Sequence, residues 1–278
     1  MNTVAIVGAG TLGAHLARAI AALELAREIR LIDSQSSVAH GKALDIQQAG
    51  PLARFDTRVR GFDDVSAANG AAVLVVADRH EAEPSEGPTP DFDLLRRLVS
   101  VNPRIPVVLA RAEHHATMVR AVRELQPARA RLLGSAPEAL VSAARALLAL
   151  GAGASPADVS VPVFGVPGAW VFGWSEAIVA GRPVSEALPA HELLSVEARV
   201  RASWPPGPYS LASAAARIVG GMLRRSRRRF TCFAPLEGEW RHQAAALSVS
   251  LGPEGILSHD EPALSARERV QLATALSA

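Results

Sequence analysis

The chain contains a single cysteine, Cys232. No disulfide can close within it, which excludes a cross-linked secreted scaffold and fits a reducing, cytoplasmic setting. Lysine is equally scarce, because Lys42 is the only one, so the 29 basic residues are nearly all arginine and face 27 acidic ones. The formal charge is only +2, and the pI near 9.3 reflects arginine usage rather than a surplus of cations. That balance argues little for nucleic-acid binding. No apolar run is long enough to cross a bilayer. No basic stretch followed by an apolar core opens the chain, since a strand pattern begins at Thr3, and no secretory leader is expected. There is no internal repeat and no low-complexity linker. His191, His242 and His259 lack metal-ligand spacing and read as surface residues, so no metal site is expected. What is present is apolar material: 49% of 278 residues, enough for one large core or two modest ones.

The chain is organised around its opening. Val4 to Val7 is an apolar run that enters a turn with glycines at Gly8, Gly10 and Gly13. An alanine-rich helical pattern follows from Thr11 to about Ala26, then a second apolar run, Ile29 to Ile32, ends in Asp33. Strand, glycine turn, helix, strand and acid in this order form a dinucleotide-binding fingerprint. Gly8 permits the tight turn, Gly10 lets the backbone approach a pyrophosphate, and Gly13 lets the helix lie close on the sheet. The first helical turn, Thr11 and Leu12 included, offers N–H groups and a partial positive charge to phosphates. Asp33 suits a ribose diol and repels a 2′-phosphate, which favours NAD over NADP.

Strand and helix patterns then alternate. A helix is expected over Ser36 to Gln48, ending at Gly50-Pro51, with a short strand over Arg58 to Phe62. Ala71 to Ala77 is a continuous apolar run of the kind buried on both faces. Asp78 to Pro90 reads as a polar loop at the carboxyl end of that strand. Phe92 to Val101 is an amphipathic helix, Ile105 to Ala110 a strand, His114 to Leu125 a helix and Arg131 to Leu133 a strand. Beyond Gly134 the rhythm changes. A helix is expected over Pro137 to Leu150, ending at Gly151, with strands at Val159 to Phe164, Ala169 to Phe172 and Ala177 to Ala180. Helices at His191 to Ser203 and Tyr209 to Leu223 follow, then strands at Arg229 to Pro235 and Ala244 to Leu251. The last helix, Ser265 to Ser277, is capped by Ser265 with Glu268 three residues on. The expectation is an α/β fold: a Rossmann-type doubly wound parallel sheet over residues 1–134, then a mixed α+β domain over 135–278, the two closely packed.

With these segments in hand, the chain resembles the lactate/malate dehydrogenase family over nearly its whole length. The likeness is carried by Leu31-Ile32-Asp33, Gly41 to Ile46, Asp93-Leu94-Leu95 with Val101-Asn102, Leu133-Gly134-Ser135, Ser142 to Arg145, Asp158 to Gly165, Trp174-Ser175, Leu236 to Trp240, Gly252 to Gly255 and Leu264-Ser265. It implies NAD as cofactor, a C-terminal substrate domain of the lactate/malate dehydrogenase type, and assembly as a homo-oligomer. It also implies a histidine held by an aspartate to move the hydroxyl proton, an arginine on the substrate carboxylate, a loop arginine on the carbonyl, and an asparagine beside the nicotinamide.

Carried across position by position, most of that chemistry is missing. Proline stands at the histidine position, in Gly165-Val166-Pro167-Gly168-Ala169, and proline has no group for acid–base work. No acid lies at Leu140, Val141 or Ser142. The loop arginine falls near Pro90-Asp91, the asparagine pair has become Arg111-Ala112, and a pocket threonine has become Tyr209. Only Arg145 stands as a substrate-binding residue for a small anionic ligand. The alanine-rich chain is also shortened where Trp204 to Pro208 interrupts a helix.

Three functions stay open on these residues. One is an NAD(H)-binding homologue without catalytic residues, in which lactate and malate turnover are absent or very weak. Another is an NAD-dependent oxidoreductase acting on a different carbonyl or hydroxyl, with His80, His114 or His115 as proton source and Arg111 or Arg145 as anion clamp; the plainer reading of His114 and His115 is an exposed first helical turn. The third is a partner-binding role for Arg224 to Arg229, which reads more simply as a solvated basic turn beside a helix C-terminus, with no aromatic interleaving for nucleic acid. Cys232 reads as a small core residue, and Glu176 as helix or strand polarity at the edge of the pocket.

Overall fold

A computed structural model describes residues 2–79, 89–125, 129–259 and 262–277. His80, one of the proton sources considered above, lies outside them. In chain order the first half runs β1 (Thr3–Val7), α1 (Thr11–Ala22), β2 (Glu28–Ile32), α2 (Ser36–Ala53), β3 (Arg58–Phe62), β4 (Val73–Val76), α3 (Thr89–Val101), β5 (Val107–Leu109), α4 (His114–Glu124) and β6 (Leu132–Gly134). The short strands are apolar because helices cover both faces: Val73 to Val76 are all buried. They pair in parallel in the order β3-β2-β1-β4-β5-β6. The winding reverses between β1 and β4, which opens a crevice at their carboxyl ends, the place where such sheets bind ligands.

The second half runs α5 (Ala136–Ala152), β7 (Val159–Ser160), β8 (Val163–Val166), β9 (Ala169–Phe172), β10 (Ile178–Val179), β11 (Arg182–Pro183), α6 (Val184–Ala187), α7 (Ala190–Ala202), α8 (Pro208–Leu223), β12 (Arg229–Pro235), β13 (Ala244–Gly252), β14 (Gly255–His259) and α9 (Ala266–Ser277). Its main strands pair antiparallel, and β12 lies against β6 through Phe233 and Gly134, so one sheet continues from β3 to β9. The doubly wound parallel sheet followed by a mixed second half is the architecture expected from the sequence.

Several boundaries differ from expectation, each for a local reason. The first helix stops at Ala22 rather than Ala26, because the chain turns through Glu24 at φ +48°. Helix α2 passes through Gly50-Pro51 and ends at Arg54 in the left-handed region; Pro51 falls in the last turns, where the N–H groups of Arg54 and Phe55 both reach the Gly50 carbonyl. Helix α5 passes Gly151 and stops at Gly153, φ +63°. The run Val159 to Phe164 is two strands, broken at Val161-Pro162, where the Pro162 carbonyl receives the Gly173 N–H. Strands β11 and β14 and the short helix α6 were not anticipated. The cap of α9 is as expected: Ser265 N–H donates to Glu268 Oε2 at 2.7 Å, and Glu268 N–H donates back to Ser265 Oγ at 3.4 Å.

Candidate functional site

The crevice is built from the glycine turn. Gly8 takes φ +108°, and a Cβ on Gly13 would overlap the Gly8 carbonyl oxygen, so helix and strand pack at a distance only glycine allows. Asp33, at the end of β2, is 2% exposed. Its Oδ2 accepts the Ala9 N–H at 2.8 Å and its Oδ1 the Gln35 N–H at 3.1 Å. Lys42 braces the turn from α2, its Nζ donating to the Ala9 carbonyl at 2.5 Å and the Gly10 carbonyl at 3.3 Å. Beside Asp33 lies a cavity of about 310 Å³ lined by Val7, Gly8, Ile32, Ser34, Arg79 and Arg97.

The residue that sequence reasoning missed is Asp78. Read as loop polarity, it stands just past β4, directly across the switch point from the glycine turn. Its Oδ2 accepts the Leu12 N–H at 3.0 Å and its Oδ1 the Gly13 N–H at 2.8 Å, while its carbonyl accepts the Gly10 N–H at 2.8 Å. A Cβ on Gly10 would overlap the Asp78 carboxylate, so the space that Gly10 leaves is filled by this side chain. The only available signal was an acid at the carboxyl end of a strand beside β1.

Past β5 the expected exposed helical turn is a buried cluster. His114 is 1% exposed; its Nδ1 accepts the Arg111 backbone N–H at 3.2 Å, and its Nε2 lies 3.5 Å from Asp91 Oδ2 without hydrogen-bond alignment. Arg111 is not free to clamp a ligand, because Nη1 donates to Asp91 at 3.1 Å and Nε lies 3.4 Å from Glu113. Burial raises the Asp91 carboxyl, but His114, Arg111 and Arg79 outweigh it and hold the group below its ordinary 3.8. His115 is spent differently. Its Nε2 bonds the Ala244 carbonyl at 2.8 Å, its ring packs on Phe233 with centroids 4.6 Å apart, and burial lowers its pKa.

Pro167 and Gly168 form the two-residue turn between β8 and β9, flanked by the pair Val166–Ala169, with Gly168 at φ +88°. Proline followed by a left-handed glycine is a turn sequence, and it places no titratable group at the tip. Leu140 is fully buried in α5. Along the sheet the pairs Gly134–Phe233, Phe233–Ala246, Ala246–Gly165 and Gly165–Trp170 form one row in which small residues flank the rings of Phe233 and Trp170. Trp204, just past α7, joins it, 4.7 Å from Trp170 and 6.1 Å from Phe233 between centroids. Tyr209 turns the other way, 72% exposed, with its ring 4.3 Å from that of His15.

Residues 2–105 match the model of the lactate/malate dehydrogenase NAD-binding domain. A malate dehydrogenase from Thioalkalivibrio sulfidiphilus is 27% identical over 297 aligned residues, spanning all of this chain and 97% of that protein. The chain is thus similar to malate dehydrogenases over its whole length. In structure, it superposes on malate dehydrogenase from Salinibacter ruber with a TM-score of 0.86 at 21% identity, covering 99% of this chain and 94% of the other. The lactate dehydrogenase of Cryptosporidium parvum complexed with lactic acid and nicotinamide adenine dinucleotide gives 0.86 at 18% identity, covering 99% and 95%.

Residues 2–105 match an NAD-binding domain, and they fit that cofactor unevenly. At the adenosine end the turn, Asp33 and the 310 Å³ cavity are in place. At the pyrophosphate end they do not fit as they stand, because the Leu12 and Gly13 N–H groups are bonded to Asp78. Arg145 lies elsewhere, on a cavity of about 410 Å³ shared with Glu138, Glu176, Arg217 and Arg228. Its Nη2 donates to the Pro156 carbonyl at 2.5 Å, while its Nε and Glu176 Oε1 are buried without a partner among the described residues. Glu138, also unanticipated, is 5% exposed and accepts from Arg217 Nε at 2.6 Å and the Thr231 N–H at 2.8 Å; burial still pushes its pKa up. Arg224 to Arg228 form the expected basic turn after α8 and Arg229 opens β12, His191, His242 and His259 are exposed, and Cys232 is buried with its thiol pushed well up.

Proposed function

We propose that the chain binds NAD(H) through Gly8, Gly10, Thr11, Leu12, Gly13 and Asp33, in a unit spanning residues 1–134, and lacks ordinary 2-hydroxyacid dehydrogenase activity. The observation that carries this reading is Pro167 at the tip of the β8–β9 turn, where the resemblance calls for the proton-moving histidine. The nicotinamide supplies or accepts a hydride. The chain would have to move the accompanying proton, and neither Pro167 nor the buried Leu140 can do so or orient a group that does. Loss of a general base alone costs roughly 10²- to 10⁴-fold in rate. The expected result is no NADH oxidation above blank with oxaloacetate or pyruvate; rapid turnover by material free of host dehydrogenase refutes the reading.

Residues 135–278 would then form a ligand domain in which Arg145 receives a small anion, supported by its partnerless buried Nε on the 410 Å³ cavity. A homo-oligomer is supported by α2, which exposes Leu44 and Leu52 at 59% and 89%. No helix among the described residues is long and apolar enough to cross a membrane, and the buried thiol of Cys232 suits the cytoplasmic setting we propose.

One observation favours a second reading, an oxidoreductase for another carbonyl or hydroxyl. With Nδ1 accepting the Arg111 N–H, the neutral His114 ring carries its proton on Nε2, facing Asp91. The two groups face each other at 3.5 Å and would have to realign into a hydrogen bond before His114 could act as an acid. Its 1% exposure requires α3 to shift before any substrate reaches it.

A further inference from the structure

We infer that Asp78 is an internal rival of the dinucleotide pyrophosphate, and that it sets how tightly the chain takes NAD(H). The inference rests on the cofactor reading above and adds a residue that controls it. A pyrophosphate docks on this fold by accepting N–H groups from the first turn of the helix after the glycine loop. In this chain those of Leu12 and Gly13 already end on the two oxygens of one carboxylate, at 3.0 and 2.8 Å. Asp78 is 66 residues from Leu12 in sequence and arrives from the next strand of the sheet. It therefore occupies the seat from the crevice side, where a ligand would enter. Gly10, whose missing side chain would admit phosphate, has its space taken by the same carboxylate.

The competition has a steric and an electrostatic part. Two acceptors cannot share the Leu12 N–H with good geometry. A pyrophosphate entering while Asp78 stays would also set like charges side by side at the partial positive end of α1. Asp78 must swing out of the helix end before phosphate can enter. The adenosine cavity, lined by Gly8, Ile32, Asp33 and Ser34, does not include this carboxylate. Rivalry is therefore confined to the phosphates, and a nucleoside without them escapes it.

The test titrates the full chain with NADH by fluorescence and with adenosine by calorimetry, in the wild type, Asp78→Ala and Asp78→Asn. Asparagine keeps one acceptor oxygen for the helix end without the charge, so a folding defect in the alanine variant leaves the question answerable. The expected result is NADH binding tightened about tenfold or more in each folded variant, a difference of about 1.4 kcal/mol, with adenosine binding the same in all forms. If adenosine binds and NADH affinity is unchanged or weaker in the variants, Asp78 is only a helix cap and the inference falls, while the cofactor reading stands. If no form binds either ligand at millimolar concentration, the cofactor reading falls and takes this inference with it.

Discussion

His114 and Asp91 face each other across 3.5 Å, the histidine 1% exposed and opening α4, the aspartate in the first turn of α3. Asp91 also binds Arg111 at 3.1 Å, so one carboxylate ties two helices and the end of β5 together. Asp91→Asn leaves a buried imidazole and a guanidinium facing an amide. It is expected to cost about 2 kcal/mol at pH 7, measured by urea unfolding. The Asp91 pKa is held below 3.8, so its contribution is fully present above that value and fades as pH falls through the lower, folded one. The gap between wild type and variant should be constant from pH 7 to about pH 5 and narrow only in strong acid. A gap that widens on acidification contradicts this assignment.

His115 titrates in the opposite part of the scale. Burial lowers its pKa from 6.5, so the native state holds the ring neutral where the unfolded chain takes up a proton. The stability it contributes is complete above 6.5 and drains away as pH drops towards the folded value. Between about pH 6.5 and 5.5 the wild type should lose up to about 1 kcal/mol relative to His115→Phe, which packs on Phe233 but cannot ionise. Parallel pH profiles of the two proteins would show that burial does not disfavour the charged ring.

What the sequence disclosed and what it hid follow from the range of the interactions. The glycine turn, strands β3, β9 and β12, and the Ser265–Glu268 cap were readable because each depends on residues a few positions apart. Pro167-Gly168 was readable for the same reason. Asp78, Asp91 and Glu138 were not, because their partners lie 66, 20 and 79 positions away and an acid in a loop or first turn looks solvated until the sheet folds. Strand β14 was hidden because its pairing with β13 contains a register shift that breaks any simple alternation.

Two glycines make a paired test of that local reading. In Gly13→Ala the new methyl overlaps the Gly8 carbonyl oxygen, and backbone cannot yield as a side chain can. The cost should reach about 3 kcal/mol or more. Gly41, within α2, has open space around its Cβ position. Gly41→Ala should be neutral to stabilising, by up to about 1 kcal/mol, through helix propensity and unfolded-state entropy. Thermal midpoints of the two variants should move in opposite directions.

Glu138 separates hydrogen bonding from charge. Its carboxylate receives the Thr231 N–H at 2.8 Å and Arg217 at 2.6 Å, but the Arg217 side chain is 38% exposed and water screens that end of the pair. The backbone donor in β12 has no such relief. Glu138→Gln keeps an oxygen for Thr231 and removes a charge that burial disfavours, so about 1 kcal/mol is expected. Glu138→Ala strands the N–H and opens a cavity, and should cost about 2 kcal/mol more. Equal losses in the two variants would mean that the ion pair, not the backbone bond, holds α5 against β12.

Under the reading proposed above, supplying a histidine alone should not bring chemistry. Pro167→His places an imidazole at the hairpin tip, where the left-handed Gly168 can still close the turn. An imidazole moves protons usefully only when a second group fixes its tautomer and stabilises its cation. The resemblance draws that group from around Leu140, Val141 and Ser142, where no acid stands, and Leu140 has no exposure. NADH oxidation with oxaloacetate or pyruvate should therefore stay at the blank rate in Pro167→His. Adding Leu140→Asp supplies the missing partner but buries a carboxylate at a cost of several kcal/mol, so the double variant should lose stability before it gains turnover. Measurable activity in the single variant would mean that another side chain already orients the ring, with His114 and its Asp91 partner the first pair to substitute.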